Sequence, residues 1–100
     1  MPTASATVPH SLGREEATRR LTQFVDRIKQ RYGDQVEQLE EDLSGNPGIF
    51  SFTYQGIKIK GTLMVQEAAV TVSCKLPLLA AMFKDRIESE LREQITGVLQ

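Results

Sequence analysis

Apolar side chains recur along this chain in two periods, and the switch between them lays out the fold. Between residues 12 and 32, Ala17, Leu21, Phe24, Val25, Ile28 and Tyr32 fall three, four or one apart, which places them on one helical stripe. Ser11 is the expected amino-terminal cap. Glu15 and Glu16 stand in the first turn and Arg27, Lys29 and Arg31 near the end, just before Gly33, so both ends suit the helix macrodipole. Burying the stripe stabilises by about 1.5–3 kcal/mol per large side chain, far more than the differences among ordinary helix propensities. The helix therefore needs a sheet or a partner to lie on.

Beyond Gly33 the period becomes two. Residues 36–43 carry Val36, Leu39 and Leu43 at helical spacing, but the segment is cut short by Gly33 and by the Ser44-Gly45-Asn46-Pro47-Gly48 cluster, and reads as a strand. Phe50, Phe52 and Tyr54 then alternate with Ser51 and Thr53, the pattern of a half-buried strand. Gln55-Gly56 makes a tight reversal into Ile57, Ile59, Leu63 and Val65, which alternate with Lys58, Lys60, Thr62 and Gln66. A turn around Gln66-Glu67 leads to Val70, Val72, Cys74 and Leu76, set between Thr71, Ser73 and Lys75. Pro77 suits the first turn of a second helix, whose stripe runs Leu79, Met82, Phe83, Ile87, Leu91, Ile95 and Val98, with Lys84, Asp85, Glu88, Arg92 and Glu93 turned outward. Residues 3–8 have the small and β-branched side chains of an edge strand with poor alternation. The order β-α-β-β-β-β-α groups strands together, so the expected class is α+β. It is an antiparallel sheet of four to five strands with two amphipathic helices packed on one face, all within a single domain over residues 1–100.

Composition narrows the partners more than it names them. A chain of 100 residues that is 40% hydrophobic and 25% charged can build a modest core and has no signature of disorder. A net charge of −1 offers no overall field for a nucleic acid or an anionic membrane, so neither is expected as a partner. One cysteine, Cys74, cannot close an internal disulfide, which fits a reducing compartment. Residues 1–10 lack the basic start and apolar run of a signal peptide, so a cytoplasmic location is expected. The apolar run over 76–83 is less than half of the ~20 residues that a membrane-spanning helix needs, so no membrane span is expected.

Candidate chemistry is sparse. His10 is the sole histidine, which leaves no second imidazole to support a metal cluster or a triad, and beside Pro9 it reads as a turn residue. Cys74 shares the apolar parity of Val70 and Val72 and reads as a small hydrophobe. Glu37, Glu40, Glu41 and Asp42 gather four carboxylates, but without the glycine and spacing of an oxygen-ligand loop they read as a solvated edge. Gly45, Gly48, Gly56 and Gly61 match no phosphate-cradling spacing. The basic residues of the first helix, Arg14, Arg19, Arg20, Arg27, Lys29 and Arg31, spread over several faces without interleaved aromatics, as on a solvated helix. No catalytic residue, metal ligand or cofactor follows, and an enzyme is not expected.

The most suggestive stretch is 76–83, Leu-Pro-Leu-Leu-Ala-Ala-Met-Phe, which has more apolar residues than one stripe requires. Two readings stand. Leu76, Leu78, Leu79, Met82 and Phe83 form a hydrophobic contact surface, capable of reversible adsorption to an apolar phase. Otherwise the turn plugs the open end of the sheet.

Several short motifs, in this order, cover nearly the whole chain. Pro9-His10-Ser11-Leu12 and Glu16-Ala17 precede an arginine-rich helix ending Arg31-Tyr32-Gly33. Then come Gly61-Thr62-Leu63-Met64-Val65, Val70-Thr71-Val72, Lys75-Leu76-Pro77-Leu78-Leu79 and Ile87-Glu88-Ser89-Glu90-Leu91. In these the chain resembles the bacterial polyhydroxyalkanoic acid system proteins, departing from them between 36 and 49, where it is longer and more acidic. The resemblance implies a link to making or storing polyhydroxyalkanoate, a hydrophobic polyester kept in cytoplasmic granules, and it carries no catalytic residue. The expected function is a non-enzymatic accessory protein on the granule surface or its coat proteins. The alternative is a small module holding a hydrophobic acyl ligand between helices and sheet. An antiparallel sheet with an open polar face fits a monomer or a homodimer equally.

Overall fold

A computed structural model describes residues 3–33, 36–42, 45–54 and 56–100; the side chains of 32, 36–39, 54 and 79 are outside the description. The expectations that fell on Leu43, Ser44 and Gln55, and on the side chains of Tyr32, Val36, Glu37, Leu39, Tyr54 and Leu79, therefore lie outside the described residues. The elements follow the expected order: β1 (Thr3–Pro9), α1 (Arg14–Tyr32), β2 (Val36–Asp42), β3 (Gly48–Tyr54), β4 (Ile57–Val65), β5 (Ala69–Lys75), a 3-10 segment (Leu78–Phe83) and α2 (Lys84–Leu99). The five strands make one antiparallel sheet in the order β1-β5-β4-β3-β2, an α+β fold.

Strands β2 to β5 form a meander, and β1 adds to its far side against β5. The α1 crossover thus carries the chain from one sheet edge to the other. The weak alternation read over 3–8 resolves into strict alternation here: Ala4, Ala6 and Val8 are buried and Thr3, Ser5 and Thr7 exposed. Small residues suffice because α2 lies directly against β1. Below it the core continues through Val70, Val72 and Cys74 of β5 and Leu63 and Val65 of β4, with Ala17 and Leu21 of α1 and Ile95 and Leu99 of α2 above.

Local polar bonds fix the ends of these elements. Ser11 does not cap α1, contrary to expectation: Gly13 is the cap residue, at φ 81°, and its carbonyl accepts from Ala17 N–H at 3.1 Å. The carbonyl of Ala68 accepts from the backbone N–H of His10 at 2.9 Å. The His10 Nδ1 accepts from Leu12 N–H at 3.1 Å, which leaves Nε2 protonated and donating to the Gln66 carbonyl at 3.0 Å. His10 thus ties the start of α1 to the β4–β5 turn. On the β1 edge, Ser5 N–H donates to Glu88 Oε2 of α2 at 2.8 Å, which occupies a backbone donor that could otherwise pair with another strand. Where β3 stops opposite Leu63, the Asn46 side chain takes over the ladder, accepting from Val65 N–H and donating to its carbonyl, each at 3.3 Å.

Gly61 is fixed by close approach. It pairs with Phe50 of β3 and Cys74 of β5, and the Phe50 ring lies over its Cα. An added Cβ would overlap the tip of that ring and come within 2.6 Å of the Ser73 carbonyl oxygen.

Candidate functional site

The start of α2 departs from the sequence reading. Pro77 is extended, at φ −64° and ψ 159°, and Ala80 N–H donates back to its carbonyl at 2.9 Å, so residues 78–83 wind at three residues per turn before the α-helix begins at Lys84. The inward stripe of α2 is consequently Ile87, Leu91, Ile95 and Leu99, joined by Val98. The preceding apolar residues divide. Leu76 is 2% exposed and belongs to the core beneath the turn, so it is no part of a contact surface. Leu78 and Met82 are each 82% exposed and Phe83 is 52% exposed. Ala80 packs against the core. The segment is thus divided: Leu76 and Ala80 close the end of the core, and Leu78, Met82 and Phe83 stand in water, with Lys84, Asp85 and Arg86 following them on the surface.

The second feature is internal, between the helices and the sheet, where the sequence reading put an alternative acyl ligand without naming residues for it. Residues Phe24, Val25 and Ile28 of the α1 stripe are only half-buried. Beneath them lies a cavity of about 240 Å³ whose floor is Phe50, Phe52, Leu63, Val72 and Cys74 and whose far wall is Leu91 and Ile95 of α2. The rings of Phe50 and Phe52 lie nearly parallel, at 15°, with centroids 6.4 Å apart. Among the described residues the surface that the cavity presents is apolar, although the Glu41 side chain borders it. Phe24 and Ile28 also line the cleft that opens outward between α1 and α2, so these two side chains stand between the cavity and the solvent in that cleft. At about 24 cal/mol per Å³, an empty void of this size would cost up to about 6 kcal/mol relative to a filled core, comparable with the whole stability of a small domain. Such a void is expected only where something fills it or where water reaches it.

A charged pair bounds the cavity on the β2 side. Glu41 Oε1 accepts from Lys29 Nζ at 2.7 Å, the ammonium drawing its proton more tightly for that bond, while Glu41 Oε2 is buried with no hydrogen-bond partner among the described residues. The sequence read 37–42 as one solvated edge. Glu40 and Asp42 are indeed exposed, but Glu41 lies opposite Phe50 on the helix-facing side. A bulge between Glu37 and Glu40 resets the alternation of β2, which is why parity along the sequence did not single Glu41 out.

Conventional reactive groups are otherwise engaged. Burial pushes the Cys74 thiol up to about 11, so at neutral pH it stays protonated in the cavity wall. His10 spends both ring nitrogens on backbone groups. Glu16 is held down at about 2 by side-chain hydrogen bonds from Arg19 and Arg20, and Arg20 also donates to the Gln100 carbonyl at 3.1 Å, joining the start of α1 to the end of α2. Among the described residues no group of three or more His, Cys, Asp or Glu side chains could hold a metal ion, and no helix is long and apolar enough to cross a membrane.

A family model described as "Putative polyhydroxyalkanoic acid system protein" matches residues 5–99, in agreement with the resemblance read from the motifs. The crystal structure of TTHA0849 from Thermus thermophilus is similar over 98% of this chain and 92% of that chain, with 14% sequence identity and a TM-score of 0.43. No curated protein matches the chain in sequence.

Proposed function

We propose that this chain, which belongs to the polyhydroxyalkanoic acid system family, is a non-enzymatic accessory protein of polyhydroxyalkanoate storage that adsorbs from the cytoplasm to the polyester surface of the granule. The observation that carries the reading is the exposure of Leu78 and Met82, at 82% each, with Phe83 beside them, on a short segment anchored by buried Leu76. Large apolar side chains left in water on a protein of this size are candidates for interaction with an apolar surface. Inserting two of them releases a gross ~3–6 kcal/mol, which supports reversible adsorption and falls short of permanent anchoring.

Co-sedimentation with purified granules tests this. A Leu78→Asp/Met82→Asp variant loses no core contact and keeps the wild-type melting temperature, yet its granule binding falls at least tenfold. Equal binding by both proteins would remove the surface. Granules stripped of their proteins separate polymer from coat: the reading requires that binding survive the stripping, and its loss would assign the patch to a coat protein.

A further inference from the structure

We infer that the cavity between α1, α2 and the sheet is a binding site for one medium-length aliphatic acyl chain, entering tail first through the cleft between the helices. This does not depend on the surface reading above, since Leu78, Met82 and Phe83 do not line the cavity.

Three observations define the occupant. Among the described residues the interior surface is apolar, with Glu41 at its margin bonded through Oε1 to Lys29, so the part of a ligand that enters is hydrocarbon. The volume of about 240 Å³, at roughly 30 Å³ per small group, accommodates a chain of about eight heavy atoms, too few for a sterol or a long lipid tail held whole. Phe24 and Ile28 line both cavity and cleft, so a chain that enters by parting these two side chains leaves its head group in the cleft. Arg27 and Arg31 line that cleft together with Glu90 and Glu93, and a guanidinium there can pair with a carboxylate head.

An apolar cavity of limited volume has a length signature that a sticky surface lacks. Each methylene that enters raises affinity about fourfold, so octanoate binds roughly two hundredfold more tightly than butyrate, and extension beyond about eight to ten carbons adds little. Isothermal titration with butyrate, hexanoate, octanoate and decanoate, all kept below micellar concentrations, reads this directly. Octanoate and 3-hydroxyoctanoate distinguish the source of the chain, a free fatty acid from a polyester unit. Binding of either with the plateau supports the site, and the tighter of the two names the source.

A Val25→Phe variant places a larger side chain from α1 over the void. It is expected to fold, to melt at or above the wild-type temperature because it fills empty space, and to lose octanoate binding. A Leu78→Asp/Met82→Asp variant binds octanoate as wild type does, so failure of the surface reading and failure of the cavity reading are told apart. The inference is overturned if octanoate gives no heat at millimolar concentration, if affinity climbs without a plateau, or if folded Val25→Phe binds undiminished.

Discussion

Gly61→Ala is a small change whose outcome tests the packing of the sheet centre. In an open strand, replacing glycine with alanine stabilises by about 0.5–1 kcal/mol through the unfolded chain. At this position the new Cβ would sit 2.6 Å from the Ser73 carbonyl oxygen and would overlap the edge of the Phe50 ring. Phe50 borders the cavity and has room to swing aside. The carbonyl belongs to the neighbouring strand, and moving it means parting β4 from β5. Overpacking of this kind costs about 1–3 kcal/mol, and after subtracting the entropic gain the variant should be destabilised by about 1–2 kcal/mol. For a domain of this size that lowers the melting temperature by about 5–15 °C. Urea unfolding monitored by circular dichroism supplies the free energy, and a cycle with Phe50→Ala apportions it. Because the carbonyl contact remains in the Phe50→Ala background, most of the loss should persist there. A Gly61→Ala protein as stable as wild type would refute the close approach, and a loss that vanished without Phe50 would move the clash from backbone to ring.

The remaining predictions concern the apolar turn and the acid limb of stability. Leu76→Ala should cost about 2–5 kcal/mol in urea unfolding, whereas Leu78→Ala, only two residues on, should change stability by less than about 0.5 kcal/mol; similar values for the two would contradict their opposite burial. Glu16 is held below its ordinary 4.5, at about 2, by hydrogen bonds from Arg19 and Arg20. Its contribution is therefore fully present above pH 4.5 and lost as the pH falls toward 2. A Glu16→Gln protein should show a shallower decline in melting temperature across that window, and an unchanged slope would mean that the pairing does not hold the carboxylate.

The legibility of the fold followed side-chain size and regularity. Strands β3, β4 and β5 alternate large apolar residues with Ser, Thr and Lys, and the meander could be read from them directly. Strand β1 was faint because its inward residues, Ala4 and Ala6, are nearly as small as the outward Ser5 and Thr7. Their smallness is a tertiary requirement, since α2 comes down on them, and alternation alone does not reveal what lies above. The run over 76–83 has too many apolar residues for any single period to rank, and the 3-10 winding that buries Leu76 while exposing Leu78 and Met82 depends on the extended Pro77. Of the five residues read as a contact surface, Leu78, Met82 and Phe83 are exposed and Leu76 is core.

Periodicity tells which side chains face inward and is silent about how far apart the facing layers stand, so the cavity could not have been read from Phe24, Val25 and Ile28. The spacing follows from the geometry of the whole sheet. Five strands at about 4.8 Å span roughly 19 Å between edge strands, whereas two helices in contact stand only about 8–10 Å apart. With α2 drawn down onto the alanines of β1 and α1 leaning against it above β4, the helices pack mainly over the β1 side of the sheet. Phe50 and Phe52 fill part of the gap from below, and Lys29 reaches across to Glu41 at its margin. What remains open between them is the apolar cavity. Its volume is thus set by the small residues of β1, which seat α2 at one edge of the sheet, and enlarging Ala4 or Ala6 should alter acyl binding from the opposite end of the core.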